Sequence, residues 1–248
     1  MRLEDLDHYT RALLDVSRFR DYCPNGLQVE GRAEVLRIVT GVSASLALLE
    51  AAIAAGADAV LVHHGYFWKN EPAPIVGVKR ARIGLLLAHE VSLFAFHLPL
   101  DAHPELGNNA RLGRRLGLTV EEWTGEQGLI ALGRLSAPCL LGEFAARVEH
   151  ALGRTPLVVG ERDRPLKRIA WCSGGAQGYF ETVAALGVDA YLTGEASEHN
   201  VHFARESGVA FIAAGHHATE RDGIQALGDH LAAQFGLEHR FIDIPNPV

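Results

Sequence analysis

The chain has 248 residues, 48% of them hydrophobic and 21% charged. That is enough for one large or two small domains around a substantial core, and too apolar for extended disorder. Thirty acidic against 23 basic residues give a net charge of −7, which argues against general adhesion to nucleic acid or to an anionic membrane. A local basic run, Arg162, Arg164, Lys167 and Arg168, reads as a solvated loop. Cys23, Cys139 and Cys172 are odd in number and widely spaced, so they read as reduced thiols of a cytoplasmic protein. Acidic residues interrupt the apolar positions of residues 1–15, and no apolar run reaches membrane-spanning length. Neither a secretory leader nor a membrane anchor is expected.

In chain order, residues 3–18 show apolar positions at helical spacing and predict an amphipathic first helix. Residues 37–42 read as a strand. Residues 45–55 read as an Ala/Leu-rich helix stopped by Gly56, and 58–62 as a strand that runs into His63-His64. A polar, proline-containing stretch over 69–79 precedes a helix over 83–90 and a strand over 92–96 that ends at His97. Further on, strands are expected over 129–135 and 157–159, with a helix over 142–152 between them. The tail over 241–244 is strand-like and stops at Pro245-Asn246-Pro247. The alternation of strand and helix predicts an α/β protein with mostly parallel strands.

The order recurs. Aligned without gaps, residues 37–64 and 168–195 share eight identities in 28 positions, among them Arg37/Arg168, Glu50/Glu181, Gly56/Gly187 and Asp58/Asp189. At a slightly smaller offset His97 pairs with His216, Asp101 with Glu220, and Gly117-Leu118 with Gly236-Leu237. Two related α/β halves follow, over 1–125 and 126–248.

Three patterns carry chemistry: His63-His64, His97-x-x-x-Asp101 and His216-x-x-x-Glu220. Each follows an apolar run that reads as a buried strand, the place where ligands bind in open α/β sheets. Imidazole with carboxylate is the donor set of a water-activating transition-metal site. One tetrahedral ion takes about four ligands, so these six donors suit two ions better than one. Adjacent strand residues point to opposite sides, which favours an ion on each ring of His63-His64. The four-residue spacing places each His–carboxylate pair on one face of a helical first turn, although Pro99 makes a regular turn less secure there. His216 is preferred over His217 for its spacing to Glu220. Glu195 stands where His64 has its counterpart; it suits a strand-end or capping role, or a general base. Asn108-Asn109 suits second-sphere orientation or helix capping. Cys23 lies in the turn Asp21-Tyr22-Cys23-Pro24-Asn25-Gly26, and a nucleophilic role for it has little support. The turn Trp171-Cys172-Ser173-Gly174-Gly175-Ala176 matches no dinucleotide or Walker loop, and Ser173 is in no nucleophile elbow.

The motifs Asn25-Gly26-Leu27-Gln28-Val29, Val62-His63-His64-Gly65 and His97-Leu98-Pro99-Leu100-Asp101 resemble those of the NIF-three-like dinuclear-metal family. So do Leu192-Thr193-Gly194-Glu195, Gly215-His216-His217-Ala218-Thr219-Glu220 and the tail Ile242-Asp243-Ile244-Pro245-Asn246-Pro247. Members of that family are often labelled GTP cyclohydrolase 1 type 2 homologs. The resemblance implies a NIF-three-like α/β fold in a toroidal homo-hexamer. It implies two divalent transition-metal ions per subunit (zinc, iron, manganese, nickel or cobalt) held by His63, His64, Asp101, His216 and Glu220. His97 would be a sixth ligand or stand beside the ligands. The function that follows is a metal-dependent hydrolase of cyclohydrolase or phosphoesterase type, working on a small molecule through a metal-bridging hydroxide. The alternative is a non-enzymatic hexameric metal-binding or regulatory scaffold. No residue is assigned as the catalytic base.

Overall fold

A computed structural model describes all 248 residues. Helix α1 spans Leu3–Leu13 and buries Leu3, Leu6 and Thr10. It is shorter than the helix expected over 3–18, because Asp15 adopts a left-handed φ of 47° and only a 3-10 turn follows, Val16–Arg18. Strands β1 (Gly26–Val29) and β2 (Arg37–Ser43) lead to α2 (Leu46–Ala54), whose first turn is capped by Ser45 accepting from the Leu48 N–H at 3.3 Å. Strand β3 (Ala59–His64) is followed by α3 (Gly77–Ala88), β4 (Ser92–Ala95) and the short α4 (Leu98–Ala102). Pro99 sits in the first turn of α4, where its missing N–H is not needed. The Asp101 N–H still reaches the His97 carbonyl at 3.1 Å.

Next come α5 (Asn108–Leu116), β5 (Leu118–Thr124), β6 (Ile130–Leu140), α6 (Leu141–Leu152), β7 (Leu157–Val159) and β8 (Pro165–Trp171). The chain closes with α7 (Phe180–Ala184), β9 (Ala190–Thr193), α8 (Glu198–Ser207), β10 (Ala210–Ala213), α9 (His216–Thr219), α10 (Arg221–Phe235) and β11 (Glu238–Phe241). None of these helices is long and apolar enough to cross a membrane.

The chain forms two compact units, Met1–Leu106 with Gly223–Ile244, and Gly107–Asp222 with Pro245–Val248. These bounds differ from a simple division into 1–125 and 126–248. The physical reason is β11, which pairs in parallel with β2, Glu238 opposite Arg37, and brings most of α10 into the first unit.

In the first unit the sheet order is β1-β4-β3-β2-β11, and only the β1–β4 pair is antiparallel. Helices cover both faces, which is why its strands are continuous apolar runs. Val39, Val60 and Leu93 pack with Leu48 and Leu86 on one side. Ile38, Leu61 and Phe94 pack with Leu6 and Leu227 on the other.

In the second unit the order is β5-β6-β8-β9-β10-β7. Only β8, β9 and β10 run parallel, and β5, β6 and β7 pair antiparallel. Across both sheets five of the nine strand pairings are parallel; the long β6 returns directly alongside β5 and needs no crossover helix. Its main core gathers Trp171, Phe144, Leu192 and Ile212. Phe180, Tyr191 and Phe211 form an aromatic cluster.

The repeat seen in the sequence has a structural counterpart. β2, β3 and β4 stand in the same spatial order as β8, β9 and β10, and β1 flanks β4 as β7 flanks β10. Asp58 accepts the Leu36 and Arg37 N–H groups, both at 2.9 Å, and Asp189 accepts those of Lys167 and Arg168, both at 2.8 Å. Gly56 and Gly187 share a φ of +73°, a conformation that favours glycine just after each helix.

Candidate metal centre

In the first unit, His63 ends the apolar run of β3 and is wholly buried. Its Nδ1 meets the Phe96 carbonyl at 2.8 Å and its Nε2 lies 3.5 Å from the buried Asp101 carboxylate. His64 places its Nδ1 3.1 Å from the Ser43 hydroxyl of β2. His97 follows β4, and its Nδ1 donates to Asp21 at 2.7 Å. One ligating atom each of His63, His64 and His97 falls within 4.8 Å of the others. The rings of His63 and His64 are 4.6 Å apart at 47°, nearer than the opposed faces of a regular strand would place them. The strand ends there, at His64, and Gly65 follows.

Asp21 is the residue that sequence reasoning missed. Its side chain is buried, and beyond His97 it accepts the Leu98 and Tyr22 N–H groups and the Asn25 amide. Burial alone would raise its pKa; the hydrogen bond and charge of His97, with hydrogen bonds from the Asn25 amide and the Tyr22 N–H, outweigh it and hold the carboxyl below its usual range. An aspartate in a turn-forming stretch ordinarily bonds its own backbone, so nothing local announced a partner 76 residues away. Cys23, in the same turn, is buried. Desolvation first and the Asp21 charge second push its thiol up to about 12, so it is not a thiolate nucleophile at neutral pH.

In the second unit, His216 opens α9 just after β10, and Glu195 follows β9. It is His216 that lies between two carboxylates, with Nδ1 donating to Glu195 at 2.6 Å and Nε2 facing the buried Glu220 at 3.2 Å. Burial works against the imidazolium, but the hydrogen bonds and charges of Glu220 and then Glu195 raise its pKa to about 9. The turn after β8 has a defined part in this. Gly174 has φ +67°, and a Cβ there would overlap Glu220 Oε1 and come within 3.1 Å of His216 Nε2. Thr219 Oγ1 accepts the Gly174 N–H at 3.0 Å and Asn109 accepts the Ser173 N–H at 2.8 Å. Asn109 therefore orients this turn.

All four imidazoles share one device. A fixed neighbour engages Nδ1: Phe96 O, Ser43 Oγ, Asp21 and Glu195. Such a contact at one ring nitrogen is what metal-binding histidines generally show. For His63 and His216, a buried carboxylate stands on the Nε2 side. Such carboxylates are costly unless a cation or proton accompanies them. The histidines and carboxylates are of the kinds that could hold a metal ion, and the glycine at 174 keeps a side chain out of the space beside Glu220.

A family model for Duf34/NIF3 (NGG1p interacting factor 3) matches residues 1–247. The chain belongs to the Duf34/NIF3 family. It is similar to a protein of Pseudomonas aeruginosa named GTP cyclohydrolase 1 type 2 homolog, 58% identical over 99% of this chain and 97% of that one. Among solved structures it is similar to the protein ybgI, described as of unknown function, with a TM-score of 0.96, 50% identity and full coverage of both chains. It also resembles TTHA1606 from Thermus thermophilus, with a TM-score of 0.91 and 37% identity over the full length of both. Family membership thus agrees with the motif resemblance, and the α/β fold with two sheets is the fold of these relatives.

Proposed function

We propose that this chain is a metal-dependent hydrolase that holds two divalent transition-metal ions. The ligands are His63, His64 and Asp101 of the first unit and His216 and Glu220 of the second, within a homo-hexamer. The observation that carries this reading is the pinning of every imidazole through Nδ1, together with a buried carboxylate beside the Nε2 of His63 and of His216. Neither unit alone offers a full ligand set for two ions, and one ion would not use all five donors. When bound, such a pair of ions polarises an electrophilic carbon or phosphorus centre and lowers the pKa of water towards neutrality. His97, clamped by Asp21, stands beside the donors of the first unit, where it serves as a further ligand or positions a reacting group. The name of the Pseudomonas relative supports the cyclohydrolase form of this reading.

Elemental analysis of the purified protein, followed by a turnover panel with the metals found, tests the reading. The panel holds GTP and bis(p-nitrophenyl) phosphate. Bound metal with hydrolysis of either supports it. Bound metal that exchanges freely with no turnover favours a metal-binding scaffold, and absence of metal overturns it.

A further inference from the structure

We infer that Tyr22 and Trp68 form an aromatic platform that receives a planar heteroaromatic ring, such as a nucleobase, beside the imidazoles of the first unit. The inference rests on the metal-centre reading and adds the substrate class to it. Of ten Phe, five Tyr and three Trp, Tyr22 is the only exposed aromatic, 57% accessible. It is adjacent in sequence to Asp21, the clamp of His97, and its ring lies 6.4 Å from the His97 ring. The Trp68 and His97 rings are T-shaped, 5.0 Å apart at 83°, and the Trp68 ring lies 6.0 Å from that of His64. Its indole N–H is already taken by the Gly65 carbonyl at 3.1 Å. The side chain therefore offers its ring and no free donor. An exposed tyrosine ring beside polar, chemistry-bearing side chains is the composition of a stacking site, apolar on its face and wet at its rim.

The backbone holds the pair together at some cost. Phe67 and Asn70, on either side of Trp68 and Lys69, take φ values of 64° and 72°. Asparagine tolerates this region and phenylalanine does not. The Lys69 N–H donates to the Tyr22 carbonyl at 2.6 Å, and the Trp68 N–H to Glu71 at 3.0 Å. Strained backbone persists where surroundings over-determine it, commonly beside a ligand site. Here the strain presents Trp68 and ties its loop to the turn that carries Tyr22.

The test is calorimetric titration of the metal-loaded protein with AMP, GMP and ribose 5-phosphate, on the wild type and on Tyr22→Ala, Tyr22→Phe and Trp68→Leu. Metal content is measured on each sample. Stacking on an aromatic side chain predicts that Tyr22→Ala weakens AMP and GMP by about 5- to 150-fold. Tyr22→Phe should bind as wild type and ribose 5-phosphate should not distinguish the variants. Equal nucleotide affinity in Tyr22→Ala and wild type, or nucleotides no tighter than ribose 5-phosphate, overturns the platform. A protein that carries no metal but shows the Tyr22 dependence keeps the platform and removes the metal reading, so the two fail separately.

Discussion

At the scale of single residues, a neighbour fixes one ring nitrogen of each of His63, His64, His97 and His216. Glu195 shows this most directly, since it holds His216 Nδ1 at 2.6 Å while Nε2 faces Glu220. Removing such an outer partner costs other metal sites about 10- to 100-fold in affinity. Glu195→Gln should therefore weaken metal binding by that order in a competition titration with a chromogenic chelator; unchanged affinity would assign Glu195 a purely local role. The two carboxylates also set a pH dependence. His216 has its pKa raised from 6.5 to about 9, so in the metal-free protein it is protonated at neutral pH. A raised folded-state pKa gives stability that is complete below 6.5 and is lost as pH rises through about 9. The melting temperature of the metal-free wild type should fall across that window more than that of His216→Gln. A metal at Nε2 must displace this proton, so titration at about pH 8, between those two values, in buffers of different ionisation enthalpy should show proton release. At Gly174 the constraint is steric: Gly174→Ala puts a Cβ onto the Glu220 carboxylate at an unfavourable φ. Loss of metal with retained secondary structure by circular dichroism is the expected outcome.

At the scale of elements, the donors lie at strand ends and helix starts. Each of β3, β4 and β10 delivers its histidine at or just beyond its carboxyl end, from a continuous apolar run. That is why the His clusters were legible: buried parallel strands leave a clear apolar signature, and a histidine ending one is conspicuous. The repeat was legible for a similar reason, because the Asp58 and Asp189 clamps need the same residue at the same offset from the same strand start. What escaped were β1, too short for a pattern, and β5, whose apolar alternation breaks at Glu121-Glu122, where its register against β6 shifts. Glu195 was visible but ambiguous, since a carboxylate after a strand usually caps a helix. The clamps have a measurable consequence. Asp58→Ala leaves the Leu36 and Arg37 N–H groups without their acceptor and Arg32 without its 2.9 Å partner. A loss of about 1–3 kcal/mol in chemical denaturation is expected, as for a buried donor left unsatisfied. A change within a few tenths of a kcal/mol would show that water replaces the carboxylate freely.

At the scale of the whole chain, the five proposed donors divide three to two between the two compact units, and the last helix and strand return to the first. Ile224, Leu227 and Leu231 of α10 belong to that unit's core, and β11 covers the edge of β2. A chain ending at Asp222 should therefore lose the cooperative unfolding of its first unit while Trp171, in the core of the second, keeps its buried fluorescence. The His/carboxylate chemistry of the two halves leads to the central claim, a two-ion centre supplied by both. It is tested most directly by metal stoichiometry, measured by plasma mass spectrometry on the wild type and on His63→Ala with His216→Ala, each checked for fold by circular dichroism. The account predicts about two ions per chain in the wild type and near-complete loss in the folded double variant. Metal content unchanged in the double variant would contradict it.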